Sequence, residues 1–265
     1  MKKILLIISL LLIVGILIIS YILINKGVTS KTATINNNIT MEEFGIVSIP
    51  KNINENQIVQ NYTCNPSYLI DISNNEVLVD NSDFIIIGRV QSIDGVTNYN
   101  PTTKTYIDFP CTVGKIKVEK VLKGNLEEKN IPFIKIGGTI SIQEYEKSLS
   151  KEEKEEMGFN KLTKEEKANL YVSKTMEEDV SIEENKTYLM YLCYDENYQR
   201  YSIGFVQYGL REIDAESLNS DPNLSNSDTE TLTSNEYKTV KVKDNTNGSY
   251  DTLDFVIPDK IKKNK

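Results

Sequence analysis

The 265-residue chain contains no histidine and no tryptophan. Without histidine it cannot build a Ser-His-Asp or Cys-His nucleophile system, nor any zinc site that needs an imidazole ligand. Its three cysteines, Cys64, Cys111 and Cys193, form no Cys-x-x-Cys pair, so the spacing argues against a zinc or redox motif. One disulfide outside the membrane and three buried thiols both remain open interpretations.

Other motifs for catalysis and cofactor binding are also lacking. The chain has no G-x-S-x-G elbow, no phosphate-binding loop and no dinucleotide fingerprint. Residues 244–254 look like a calcium loop, but Gly248 stands at the fifth loop position and no glutamate stands at the twelfth. The formal net charge of −8 argues against a nucleic-acid partner. We therefore predict no catalytic residue, no cofactor and no metal.

Charge is absent from residues 4–24, which follow Lys2 and Lys3. A helix of this length spans about 30 Å, the thickness of a bilayer core. Because the only preceding charges are basic, the positive-inside rule keeps the N-terminus in the cytoplasm. We predict a single-pass anchor in the cell membrane that exports the rest of the chain. Small residues at Val28 and Ser30 leave signal cleavage open.

The rest of the chain favours a mainly β fold. Ser73 and Glu76 resemble a capping box and predict a short helix over residues 74–81. Apolar alternation then predicts the strands 84–93, 106–122, 131–136, 187–194, 200–207 and 210–213. In the second strand the apolar phase flips near Gly114, which predicts a β-bulge there and places Ile86 and Val118 in the core. Gly88 predicts a bend, a bulge or a close backbone approach.

One charged block interrupts this pattern. Residues 144–184 contain 13 acidic residues and 7 lysines, with capping boxes starting at Ser150 and Thr163. The two predicted helices hold too few apolar residues to be core. We predict a surface excursion between two barrel strands, either a solvated insertion or a partner-binding arm.

The chain is thus predicted to divide into five parts. Near the C-terminus, residues 237–242 and 253–257 predict a hairpin around the turn 244–248. The predicted parts are an anchor over 1–26, a stalk over 27–65, a barrel over 66–213, a linker over 214–236, and a hairpin with a basic tail over 237–265.

Tyrosines bunch in the last predicted barrel strands. An exposed tyrosine face would make a good binding surface, whereas rings half-buried on a pleated sheet would be structural. The sequence leaves both readings open. The candidate binding residues are Tyr188, Tyr191, Tyr194, Tyr198, Tyr201 and Tyr208.

The order NSDFIIIGRV, TVGKIKVEKVLKGN, IPFIKIGG, NKTYLMYLCY and YSIGFVQYG resembles an OB-like barrel of the netrin/TIMP type. Similar patterns are found in exported proteins of Gram-positive bacteria. The resemblance covers residues 82–213 without the charged block. TIMP proteins inhibit metalloproteases through an N-terminal cysteine, and this chain has none there. The resemblance therefore implies a small OB-like β-barrel and a binding role, without naming a ligand.

These observations favour a non-catalytic, membrane-anchored binding module for a protein, a peptide or a cell-wall component. The alternative is an extracytoplasmic hydrolase that works with carboxylates alone. Two converging buried carboxylates would favour the enzyme.

Overall fold

The computed structural model describes residues 41–219 and 236–262. The strands of these residues are β1 Ile58–Cys64, β2 Phe84–Asn100, β3 Thr105–Lys123, β4 Asn130–Ile136, β5 Gly138–Ser141, β6 Tyr171–Met176, β7 Thr187–Asp195, β8 Arg200–Ile203, β9 Leu210–Glu212, β10 Lys241–Lys243 and β11 Tyr250–Thr252. The helices are short: Met41–Phe44, Glu55–Gln57, Asn75–Asp80, Ile142–Tyr145, Glu146–Ser148, Lys151–Glu156, Phe159–Lys161, Lys164–Asn169, Val206–Gly209, Ala215–Asn219, Glu236–Thr239, Leu253–Val256 and Asp259–Lys262.

Five strands form a partly closed ring in this mainly β fold. The larger sheet has the order β2-β3-β4-β8-β7-β9, and β2 also pairs with β7, which closes the ring. The pairing β4–β8 is parallel, and the other pairings of this sheet are antiparallel. The mainly β class is confirmed. The strand predicted over 200–207 is shorter, because Phe205 and Val206 have positive φ angles of 64° and 40°, which an extended strand cannot accommodate.

The interior of the ring contains the predicted core positions. Ile86 is fully buried and Val118 is 9% exposed, and both belong to the same apolar cluster. Gly88 lies between them on β2, where a Cβ atom would come within 2.6 Å of the Ile116 Cγ2 atom. The register between β2 and β3 also shifts between Ile87 and Gly88, so the irregularity predicted at Gly88 is found there, and the closest neighbour of a side chain at this position would be Ile116 inside the ring.

The other face of β2 is also covered. Ile85 and Ile87 belong to a second cluster, together with Val242 of β10 and Leu253 of the following helix. A strand buried on both faces reads as a continuous apolar run, which explains the FIIIG sequence of β2. The C-terminal segment therefore completes the core of the ring domain.

The apolar alternation of β3 changes phase near Gly114, but not because of a bulge in β3. β3 pairs with β4 without interruption over residues 112–117. The buried side chains before Gly114 belong to one cluster, and those after it belong to the cluster inside the ring. The register shifts lie in the facing part of β2, between residues 90 and 95. β3 is thus one continuous strand whose two halves bury opposite faces.

A second sheet has the order β1-β6-β5, with β1 parallel to β6 and β5 antiparallel to it. This corrects the predicted stalk over 27–65. Residues 58–64 form β1, and the side chains of Phe44 and Ile46 are buried. Because this stretch is rich in polar residues, the sequence did not indicate the strand, whose alternate residues pack against the domain.

The block 144–184 also differs from the predicted surface excursion. Both capping boxes, at Ser150 and Thr163, are confirmed, and the helices that follow them bury no residue. However, Tyr145 and Phe159 lie in an apolar cluster with Val172 of β6. The block has few apolar residues, but those before, between and after the charged helices form the core of the second sheet.

Two local predictions hold with different details. The helix near residue 74 is confirmed as Asn75–Asp80, but its cap is Asn74, whose side chain accepts the Glu76 N–H at 2.8 Å. At the C-terminus β10 and β11 form a hairpin around the turn after Asp244. The strand predicted over 237–242 is corrected, since Glu236–Thr239 form a helix and the strand begins only at Lys241. The strand predicted over 253–257 starts instead as the helix Leu253–Val256.

Some predictions fall outside the described residues. They are the anchor over 4–24, most of the linker over 214–236, and the last residues of the basic tail. Within the described ranges, no helix has the length and apolar character needed to cross a membrane.

Replacing Phe159 tests whether the charged block contributes to a core. Phe159 is 2% exposed and contacts the Tyr145 ring at a centroid distance of 6.4 Å. Phe159→Ala should lower the free energy of unfolding by about 3–5 kcal/mol, because it leaves a cavity. Denaturant unfolding measures this loss. Phe255→Ala is the matched control, since Phe255 is 75% exposed, and equal losses in both variants would show that the block is a solvated excursion.

Candidate functional site

The six tyrosines predicted as a binding surface do not form an exposed face. Tyr188, Tyr191, Tyr198 and Tyr201 are buried, and Tyr194 and Tyr208 are half-buried. The reason is the ring itself, because β7 pairs with β2 on one edge and with β8 and β9 on the other. Five of the six lie in or against the two clusters on either face of β7. Tyr198 belongs to a separate cluster with Phe44. These tyrosines therefore have a structural role in the core and do not form a binding surface.

Individual contacts support this reading. The Tyr194 and Tyr201 rings meet edge to face at a centroid distance of 5.3 Å. The Tyr188 hydroxyl accepts the Glu183 N–H at 3.2 Å. Burial raises the pKa of Tyr188 and of Tyr191 to about 12, so both phenols stay neutral at physiological pH.

A different pair of tyrosines is accessible at the tip of the β2–β3 hairpin. Tyr99 of β2 pairs directly with Tyr106 of β3, and their ring centroids are 5.1 Å apart. Tyr106 is 37% exposed and Tyr99 is half-buried. The tip is held by Asn100, whose side-chain oxygen accepts the N–H groups of Thr102 and Thr103. We call Tyr99, Tyr106, Asp108, Glu144 and Lys147 the hairpin-tip surface.

Opposite charges flank these rings. The Lys147 Nζ atom lies 5.4 Å from the centroid of the Tyr106 ring and 2.5 Å from a Glu144 carboxylate oxygen. Desolvation lowers the pKa of Lys147, but the hydrogen bond and charge of Glu144 outweigh it, so the pKa is raised. The surface thus presents an aromatic pair with a fixed ammonium and carboxylate at its side.

Asp108 connects this surface to a lysine below it. One Asp108 oxygen accepts the Tyr145 hydroxyl and the other accepts the Lys174 Nζ–H, both at 2.6 Å. Lys174 is 8% exposed in its side chain, whereas Asp108 is 63% exposed. Partial burial raises the pKa of Asp108, but the bonds from Lys174 and Tyr145 outweigh it and hold the pKa below its usual range.

Aromatic rings surround the Lys174 ammonium. Its Nζ atom lies 5.0 Å from the Tyr145 ring centroid, 5.2 Å from that of Tyr62 and 5.9 Å from that of Phe109. Such contacts stabilise a desolvated cation. Lys174 therefore ties β6 to β3 and β1, and it fixes the carboxylate of Asp108 at the surface.

The buried charged side chains of the described residues share one sign. Among the residues whose burial the structure describes, the buried charged side chains are all basic: Lys120, Lys135, Lys174, Arg200 and Arg211. Lys135 forms an ion pair with Asp179, and burial, which outweighs that pair, lowers the pKa of Lys135. The sequence also places Asp83 close to Asp80 and Asp214 close to Glu216, and two of these carboxylates accept backbone N–H groups. Asp83 accepts the Tyr194 N–H, and Asp214 accepts the Glu216 N–H at the start of a helix.

The cysteines and the calcium-like loop show no reactive arrangement in the described ranges. Cys64, Cys111 and Cys193 form no disulfide with one another. Burial raises the pKa of Cys111 to about 12, so its thiol is not a nucleophile at neutral pH. Asp244 holds its own turn by accepting the Thr246 N–H at 2.9 Å. No group of three or more potential metal ligands occurs among the described residues.

The sequence did contain a signal for the hairpin-tip surface. Tyr99 and Tyr106 flank the turn NPTTKT, which places them opposite each other once the two strands form a hairpin. Sequence reasoning missed it because the first strand was ended at residue 93, seven residues before β2 ends. The contacts of Lys174 had no signal, since they join residues distant in sequence.

A comparison with known protein families, with curated proteins and with solved structures finds no match for this chain.

A charge-removing substitution tests the Asp108 arrangement. Asp108→Asn should lower the free energy of unfolding at neutral pH by about 1–3 kcal/mol, because Lys174 loses a charged partner. The folded pKa of Asp108 is depressed, so this contribution is complete above the unfolded value of about 4 and is lost as the pH falls below it. Denaturant unfolding from pH 7 to pH 2 should show the two proteins converging at low pH. Asp251→Asn on β11 is the control, and a pH-independent difference for Asp108→Asn would contradict the arrangement.

Proposed function

We propose that this chain is a membrane-anchored, extracytoplasmic binding module without catalytic function. It holds a protein, a peptide or a cell-wall component at the hairpin-tip surface. The observation that carries this proposal is the accessible Tyr99–Tyr106 pair beside the Lys147–Glu144 ion pair. Tyrosines combine apolar contact area with a hydroxyl group, and they are enriched where proteins bind partners.

The position of these residues supports recognition. The rings stand on paired strands, and Asp108 is fixed by Tyr145 and Lys174. Side chains held by rigid elements lose little conformational entropy when a ligand binds. This surface carries both an ammonium group and carboxylates. It therefore suits a ligand with charged groups of both signs, or a ligand with hydroxyl groups.

The proposal includes an OB-type barrel of the netrin/TIMP kind. Its support is the five-stranded, partly closed ring, together with the resemblance of residues 82–213. In OB folds the loop between the first two barrel strands contributes to ligand binding. The hairpin tip is the corresponding connection in this ring, an argument by analogy of fold.

The carboxylate-dependent hydrolase receives no specific support. Such an enzyme needs two converging carboxyl groups, one of which has a raised pKa through burial. In the described part of the chain the buried charged side chains are basic instead. A binding role is therefore the better account of this site.

The membrane anchor rests on the sequence. Residues 4–24 carry no charge and follow Lys2 and Lys3, which favours a cytoplasmic N-terminus and an exported domain.

Protease treatment of intact cells tests the topology. The protease should remove the domain and leave a small membrane-bound stub that contains residues 4–24, because the domain lies outside. Immunoblotting with N-terminal and C-terminal tags measures both products, and a cytoplasmic protein that stays intact is the control. A soluble secreted form starting near residue 31 would instead identify a cleaved signal.

Cross-linking on whole cells tests the binding surface. Tyr106→Ala in the full-length chain should reduce recovery of cross-linked partners by roughly tenfold, since aromatic anchors dominate binding energy. Recovery is quantified by pull-down and mass spectrometry, with purified cell-wall material as a second bait.

Tyr250→Ala is the matched control, because Tyr250 is 46% exposed and lies on β11. An unchanged partner set with Tyr106→Ala, while Tyr250→Ala abolishes it, would place the binding surface on the C-terminal hairpin.

A further inference from the structure

We propose that two copies of this chain associate through the open edge of β1, which pairs antiparallel with β1 of the second copy. β1 is the outer strand of the second sheet, and among the described residues no strand pairs with its other edge. An unpaired edge is a template for another strand. A two-fold axis would join two three-stranded sheets into one continuous sheet.

The backbone of β1 determines which residues face the open edge. The Cys64 carbonyl accepts the Glu177 N–H at 2.8 Å, so the polar backbone groups of Cys64 point towards β6. Because these groups alternate along a strand, those of Asn61 and Thr63 point to the open edge. The register with β6 shifts between Ile58 and Gln60, so β1 is regular from Gln60 onward.

This alternation selects one register for a symmetric pair. With the axis at Asn61, the two Asn61 residues exchange both backbone hydrogen bonds, and Thr63 lies opposite Val59 of the second copy. Val59 and Thr63 are both β-branched and exposed, which favours them as cross-strand neighbours. On the other face Tyr62 lies opposite Gln60 of the second copy, and these two types already bond within one chain at 3.0 Å.

Charge favours a second copy at this place. Each chain has a formal net charge of −8, so two copies repel each other over most of their surface. Residues 56–70 contain no charged side chain, although Glu55 and Asp71 flank them. This stretch also contains three of the exposed large apolar side chains, Val59 at 45%, Tyr68 at 38% and Leu69 at 104%. Depletion of charge and accessible apolar area are typical of the centre of a protein interface.

β1 lacks the side chains that usually protect an edge strand. Its sequence, IVQNYTC, has neither lysine nor proline. Its irregularity is confined to the first residues, and no described strand pairs with the rest of the edge.

Cysteine cross-linking of the full-length chain in its membrane tests the register. In the proposed pair the two residues at position 61 have Cα atoms about 5.5 Å apart, within the range of a disulfide. Asn61→Cys should therefore give a covalent dimer under mild oxidation, detected on a non-reducing gel. The native Cys64 residues would lie roughly 20 Å apart, so the wild type should stay monomeric on that gel. Asn125→Cys, in the exposed loop after β3, is the matched control.

Two further variants keep the test independent of one substitution. Chains with Val59→Cys and with Thr63→Cys, co-expressed, should cross-link to each other, while Thr63→Cys alone should not. Asn61→Lys places two ammonium groups on the axis and should abolish association in detergent sedimentation, whereas Asn125→Lys should not.

Cross-linking through Cys64 in the wild type would overturn the antiparallel register. An adduct with another protein, or no adduct from any of these positions, would overturn association with a second copy.

Discussion

The antiparallel pairing of β2 with β3 is the constraint on which the rest of this structure depends. The two strands are far longer than the others, and their first pairs lie inside the ring while their last pairs reach the hairpin tip. The ring uses one half of this ladder, and the second sheet and its helices pack along the other half. The register shifts in β2 redirect its side chains between these two environments, so one hairpin supplies residues to several apolar clusters.

Much of the ring could be predicted from the sequence, because its strands follow local rules. The phase of Ile86 and Val118, the close approach at Gly88 and the capping boxes at Ser150 and Thr163 depend on neighbours a few residues away. The second sheet could not be predicted in this way. β1 mixes polar and apolar residues and follows an Asn- and Thr-rich stretch, and the strand that it pairs with, β6, lies far away in sequence. The predicted tyrosine binding surface was wrong for the same reason. The burial of Tyr191 and Tyr201 depends on strands that are distant in sequence.

The distribution of charge is unusual for an acidic chain. Among the described residues no aspartate or glutamate is fully buried, while several cations are buried among rings and backbone oxygens, as Lys174 is beside Tyr145. Arg200 likewise lies 5.5 Å from the centroid of the Phe44 ring. Long basic side chains can bury their aliphatic stems and place the charge against an aromatic face, which a carboxylate cannot do. The basic residues thus join the segments of the fold, and the acidic residues keep the surface of the domain hydrated.

The parallel pairing of β1 with β6 has a consequence for folding kinetics. A parallel pair cannot close through a tight turn, and here all of β2 to β5 lies between the two strands. Contacts that close a long segment of chain form slowly, whereas the β2–β3 hairpin closes locally. We therefore expect the hairpin to form before the second sheet. During synthesis β1 emerges well before β6, so this strand is without its partner while β2 to β5 are being made.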